Sequence, residues 1–128
     1  MVGIVVVSHS EKVAQGVVEL CKQMAANVPM AAAGGLADGG IGTDFQKIYE
    51  AVESVQSEDG VVVLFDMGSA LMTAEMVMDA FEGVTAIKLA DAPIVEGSIA
   101  AAIAANIGLP LDLVIQSANE ANGAKKLQ

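Results

Sequence analysis

Short unbroken apolar runs alternate along the chain with longer stretches whose apolar residues recur every three or four positions. The first run, VGIVVV at 2–7, has no polar interruption, as a strand buried on both faces requires. EKVAQGVVELCKQMAAN at 11–27 then places Val13, Val17, Leu20, Cys21 and Met24 at helical spacing, with Ser10 positioned to cap it. VPMAAAG at 28–34 is a weaker second strand. TDFQKIYEAVESV at 43–55 reads as a helix whose opening Thr43-x-x-Gln46 has the form of a capping box. GVVVLFD at 60–66 is the clearest strand, and TAIKLAD at 85–91 is the fourth. Between them, ALMTAEMVMDAF at 70–81 reads as a helix capped by Ser69, with Met72 and Met76 on one face read as core rather than interface. Pro93 fits the first turn of a helix at 93–107, which Gly108 ends. The last segment, 110–122, is predicted helical, although its LDLVI also suits an edge strand.

Strands that alternate with helices build βαβ units with right-handed crossovers. The predicted fold class is therefore α/β: a doubly wound, mainly parallel sheet of order 2-1-3-4 with helices on both faces. No linker, repeat or low-complexity tract divides the chain, so residues 1–128 are expected to form one domain.

Composition sharpens this. Hydrophobic residues make up 54% of the 128 and aromatics only 3%, so the core must be built from Ala, Val, Ile, Leu and Met. The net charge of −10, with six scattered Lys and Arg, argues against nucleic acid or an anionic membrane as partner. It suits a basic protein partner. The single cysteine, Cys21, excludes an internal disulfide and reads as a buried structural thiol. The opening run lacks a basic flank and is too short for a signal peptide, and no apolar stretch could span a bilayer; a cytoplasmic location is expected.

The chemistry concentrates at one place. His9, the only histidine, follows the carboxyl end of the first strand, and Asp66 ends the third. In a 2-1-3-4 sheet these strands are neighbours, and the crevice at their carboxyl ends is the switch point where ligands bind. A carboxylate beside an imidazole takes the proton of one ring nitrogen and leaves the other nucleophilic. Helix amino ends near Ser10 and Ser69 would surround the pair with N–H groups suited to an anion. A phosphoryl group is the electrophile that fits such a site best. The glycine-rich GGLADGGIGTD at 34–44 leaves the second strand and borders the same rim, although its spacing matches no nucleotide-binding fingerprint.

Other chemistries fit less well. One His and one Cys cannot close a zinc site, so no metal is expected. No G-x-S-x-G occurs, and Ser8 and Ser10 flank His9 rather than face it, which disfavours a serine hydrolase. A receiver module phosphorylated on Asp66 would need an acidic pair after the first strand, where Ser8-His9 stand instead. A non-catalytic nucleotide-binding module remains a further alternative.

VGIVVVSHS, DGGIGTD, VLFDMGSA and DAPIVEGS together resemble the mannose-family enzyme IIA domains of the sugar phosphotransferase system. Within that family they are most similar to the phosphotransferase subunits of dihydroxyacetone kinases. Met67 stands where Leu is more usual. The resemblance covers essentially the whole chain. It implies a doubly wound, usually dimeric fold, with His9 phosphorylated by the carrier protein HPr and oriented by Asp66. It implies that the phosphoryl group passes to ADP, held with Mg²⁺ on a nucleotide-binding kinase subunit, while this chain binds no cofactor itself. With the chain ending at Gln128, the donor is expected to be a separate protein. Ser8, Ser10, Gly39, Gly40, Gly42, Thr43, Met67, Gly68 and Ser69 are the candidates for contact with the phosphoryl group or a partner. A sugar-transport enzyme IIA that donates to a IIB protein is the family's other outcome.

Overall fold

Gly3–Val7 of the first apolar run and the Ser8 that follows form strand β1, and all six residues are buried. Such a strand needs a neighbour at each edge and a layer on each face, and the computed structural model, which describes residues 1–127, supplies all four. Helix α1 spans Glu11–Lys22, β2 Met30–Gly34, α2 Phe45–Val55 and β3 Val61–Phe65. A 3₁₀ turn at Gly68–Ala70 leads into α3, Leu71–Ala80. Strand β4 (Ile87–Leu89), α4 (Ile94–Asn106) and α5 (Leu111–Glu120) follow, and a 3₁₀ turn at Ala121–Gly123 comes after α5. Gln128 lies outside the described residues.

The sheet has the order β2-β1-β3-β4, and every pairing is parallel. Ile4 lies opposite Met30 on one side and Val62 on the other; at the carboxyl end, Val7 pairs with Ala33 and Phe65. The two-residue period of a strand sends alternate side chains to opposite layers. Ile4, Val6, Val62 and Leu64 share a core with Ala14, Val17 and Cys21 of α1, Ala101 and Ala105 of α4, and Val114 of α5. Val5, Val7, Val61 and Val63 pack on the other face with Ile48 and Val52 of α2, Val77 of α3, and Phe81. Each such aliphatic side chain contributes about 1.5–3 kcal/mol relative to exposure, which is what holds β1 and β3 side by side.

Several elements depart from the sequence expectation in instructive ways. Helix α1 buries Ala14, Val17, Val18 and Cys21, whereas Val13, Leu20 and Met24 are exposed. Both stripes have helical periodicity; the one with small residues faces inward because α1 crosses very close to Gly34. Helix α2 is capped by Asp44, whose carboxylate accepts the Lys47 N–H, and not by Thr43. Thr43 instead meets the Thr73 hydroxyl at 3.3 Å. Ser69 does not cap α3, because the chain makes its 3₁₀ turn there and the hydroxyl is engaged elsewhere. Met72 and Met76 are exposed, since Ala70, Ala74 and Val77 form the stripe that packs inward. Strands β2, β3 and β4 are two to four residues shorter than their predicted stretches, β1 keeps its length one residue further on, and 111–120 is helix rather than edge strand. Cys21 is buried as expected, and burial pushes its thiol up to about 11, so it stays protonated and inert.

Among the described residues, no helix is long and apolar enough to cross a membrane.

Gly34 is the tightest joint near the carboxyl edge of the sheet. A Cβ there would lie 2.5 Å from the Ser10 carbonyl oxygen and 2.8 Å from the Glu11 Cα, both backbone atoms that cannot swing away. Gly34→Ala is therefore expected to destabilise the fold by about 2–3 kcal/mol and to displace the turn that carries His9. Urea unfolding measures the first effect, and the His9 ring resonances in NMR report the second.

Candidate functional site

Two strand ends make the site. β1 ends at Ser8, and the next residue, His9, turns the chain toward α1. β3 ends at Phe65, and the next residue, Asp66, turns it toward the 3₁₀ turn and α3. Because β1 and β3 are adjacent in register, these two turns meet at the switch point predicted from the strand order.

The Asp66 carboxylate ties the turns together with four hydrogen bonds. Oδ1 accepts from His9 Nδ1 at 2.9 Å and from the Met67 N–H at 2.8 Å. Oδ2 accepts from the His9 N–H at 3.0 Å and from the Ser8 hydroxyl at 2.8 Å. A carboxylate has about four lone-pair positions, so this one is saturated. Ser8 is fully buried, and its oxygen also accepts the Ser10 N–H at 3.0 Å. It thus links Asp66 to the start of α1, where the Ser10 hydroxyl caps the helix by accepting the Val13 N–H. Sequence reasoning placed Ser8 as a flank of His9 and as a candidate contact for the phosphoryl group or a partner; fully buried and bonded to Asp66, it is instead an internal support of the site. Its role in holding Asp66 depends on the pairing of β1 with β3, which no local pattern encodes.

Burial raises the pKa of Asp66, but the His9 backbone N–H, the His9 ring and the Ser8 hydroxyl outweigh it, leaving the carboxyl below its ordinary value. Ionised, Asp66 can only accept, so Nδ1 must donate. Nε2 of the neutral ring then bears the free lone pair, and the Ser69 hydroxyl donates to it at 2.8 Å. The His9 side chain is 16% accessible and that of Asp66 19%. The imidazole is thus held rigidly on one side and reachable on the other.

The remaining candidates divide. Gly42 belongs to the site: its N–H donates to the His9 carbonyl at 2.9 Å, and its φ of +151° suits a glycine. Thr43 reaches the first turn of α3 through Thr73. Gly68 opens the 3₁₀ turn that presents Ser69, and Met67 contributes its N–H to Asp66 while its side chain faces solvent. Gly39 and Gly40 do not reach His9. They close a turn on themselves, through Gly39 N–H to the Leu36 carbonyl and Leu36 N–H to the Gly40 carbonyl.

Fold and site together define the class: a doubly wound α/β domain with a histidine–aspartate pair at its topological switch point. The chain belongs to the EIIA-man family, the PTS system fructose IIA component, whose sequence model matches residues 3–115. It is 42% identical to the PEP-dependent dihydroxyacetone kinase phosphoryl donor subunit DhaM of Klebsiella michiganensis, over all of this chain and 28% of that protein. The chain thus spans little more than a quarter of that relative. It is 44% identical to the phosphoryl donor subunit DhaM of PEP-dependent dihydroxyacetone kinase 1 of Listeria innocua, over 78% of each. Among solved structures it is similar to EF1359, a protein of unknown function, with a TM-score of 0.83, 28% identity, and coverage of 100% of this chain and 99% of that one. The resemblance read from the four sequence motifs is borne out.

The saturated carboxylate makes a pH prediction. Because its folded pKa is depressed, Asp66 stabilises the fold fully above its unfolded value of about 3.9, and this contribution is lost as pH falls through the folded value. The stability difference between the wild type and Asp66→Asn should be widest near neutrality and should close in acid, as measured by urea unfolding across pH. A difference independent of pH would assign the effect to packing.

Proposed function

We propose that this chain is a phosphohistidine carrier: His9 receives a phosphoryl group from the protein HPr and passes it to ADP on a nucleotide-binding dihydroxyacetone kinase subunit. The observation that carries this reading is the arrangement of the ring, with Nδ1 held by Asp66 and Nε2 left as the nucleophile. Relatives described as phosphoryl donor subunits of dihydroxyacetone kinases support it. A cytoplasmic location and a homodimeric state accord with the same reading.

The chemistry follows from the tautomer. Nε2 attacks phosphorus, the bond to the donor breaks, and its electron pair returns to the donor's leaving atom. Nδ1 keeps its proton, so the phosphorylated ring carries a formal positive charge that the adjoining Asp66 carboxylate offsets. In the second step a β-phosphate oxygen of ADP attacks phosphorus. The P–Nε2 bond breaks, its pair returns to Nε2, and ATP leaves behind the original neutral ring. No proton is transferred in either direction. The Ser69 hydroxyl, which donates to Nε2 before phosphorylation, is placed to donate to a phosphoryl oxygen afterwards. The free N–H groups at the start of the 3₁₀ turn offer the same oxygens further donors. Mg²⁺ arrives with ADP on the partner, where it neutralises the oxygens in flight.

Phosphorylation on Asp66 fits the geometry poorly, because all four acceptor positions of that carboxylate are filled. The sugar-transport alternative differs only in the acceptor.

His9→Ala should abolish labelling by phosphorylated HPr while leaving the circular dichroism spectrum unchanged. The wild-type label should be lost in acid and survive base, as a phosphoramidate does; a hydroxylamine-sensitive label on Asp66 would refute the assignment. The labelled protein should form ATP with the ADP-loaded kinase subunit and should not label a sugar-transport IIB protein; the reverse pattern selects the sugar-transport reading. Asp66→Asn, whose amide can donate where a carboxylate only accepts, should slow transfer by about 10²-fold or more, as seen in rapid-quench kinetics.

A further inference from the structure

The exposed methionines of α3 are what the site chemistry leaves unexplained. Met72 is 76% exposed and Met76 58%, far above what buried apolar side chains show elsewhere in this fold. They are not scattered. Ser69, Met72 and Met76 stand at spacings of three and four, so they form one stripe along the 3₁₀ turn and α3. That stripe begins at the hydroxyl hydrogen-bonded to His9 Nε2. Met67, 52% exposed, adjoins its start, and Ile41, 74% exposed, is next to Gly42, whose N–H is bonded to the His9 carbonyl. The apolar surface is therefore continuous with the reactive nitrogen.

We infer that the Met67–Met72–Met76 face is the docking surface for the nucleotide-bearing protein that removes the phosphoryl group. This rests on the reading of His9 as a phosphoryl carrier. Continuity is the first argument. Transfer requires the attacking oxygen to come within bonding distance of phosphorus on Nε2, and the His9 side chain is only 16% exposed, so the acceptor's surface must cover the residues around it. Charge is the second, and it selects the acceptor over the donor. Glu75 and Asp79 follow Met72 and Met76 by three positions each, both are exposed, and α3 has no Lys or Arg. A protein that holds ADP offsets the charge of the polyphosphate with basic side chains and helix N–H groups, which favours a positive mouth to its site. An acidic rim around an apolar stripe complements that mouth. A phosphohistidine donor has one phosphoryl group to offset against the two phosphates of ADP, so the complementarity is stronger for the acceptor. The flexible thioether side chains suit a contact that must form and release at every turnover.

The test separates the two half-reactions. Met72→Gln with Met76→Gln keeps side-chain length and helix propensity while removing the apolar contact. Ile107→Gln is the control, an exposed apolar residue just beyond α4, whose helix packs on the opposite face of the sheet. Each protein is phosphorylated by HPr, then mixed with increasing ADP-loaded kinase subunit, and ATP is measured by rapid quench. In the double variant the concentration of kinase subunit giving half-maximal rate should rise about tenfold or more, the scale of two lost interface contacts. The saturated rate, the rate of His9 labelling and the thermal melt should match the wild type. Glu75→Gln with Asp79→Gln should flatten the salt dependence of association. An unchanged half-maximal concentration, an equal rise in the Ile107 control, or a defect confined to labelling by HPr would each overturn the assignment. If the labelled wild type forms no ATP at all, ADP is not its acceptor, and this assignment falls with that part of the proposed function.

Discussion

One carboxylate holds the working end of this molecule in place. Asp66 accepts four hydrogen bonds from Ser8, His9 and Met67, and so joins the turn after β1 to the turn after β3. Ionised and saturated, it determines the position of the His9 backbone, the orientation of the imidazole and the tautomer, since an acceptor leaves Nδ1 only the role of donor. Nε2 is thereby left with the free lone pair, facing the Ser69 hydroxyl. Remove the negative charge and three constraints relax together, because the same two oxygens impose all of them.

The rest of the fold serves this joint. β1 and β3 are brought side by side by aliphatic burial on two faces, from Ile4 and Leu64 in one layer to Val7 and Val63 in the other. That packing fixes the distance between Ser8 and Asp66. Gly34 lets the Ser10–Glu11 turn settle closely on β2, so the start of α1 lies within reach of the buried Ser8 hydroxyl. The hydrophobic sandwich supplies rigidity, and the hydrogen bonds at its carboxyl edge turn rigidity into a defined ring orientation.

The surface around the joint is arranged differently from the interior. α3 turns Ala70, Ala74 and Val77 inward and leaves Met72 and Met76 in solvent, next to the residue that touches the histidine. A helix that only covered the sheet would have no reason to keep large apolar residues on its far side. The acidic side chains Glu75 and Asp79 are exposed among them, in a protein of net charge −10.

The alternation of apolar runs with helical periodicity was enough to give the α/β class, the four strands and the position of the switch point, because burial on two faces is written into unbroken runs such as GIVVVS and VVVLF. His9 and Asp66 were legible for the same reason: each directly follows a strand, and the strand order makes those strand ends neighbours. The tertiary structure alone decided what sequence periodicity leaves ambiguous. Two stripes of α1 and two of α3 have helical spacing, and only the packed fold shows that Ala14 and Val17 of the first and Ala74 and Val77 of the second are the buried ones. Ser69 matched a helix cap locally, yet its hydroxyl lies on His9, sixty residues away in the chain. Ser8 had no local signal for its bond to Asp66, because that contact exists only once β1 and β3 are paired. Local spacing determines which residues share a face; only packing between elements determines what that face meets.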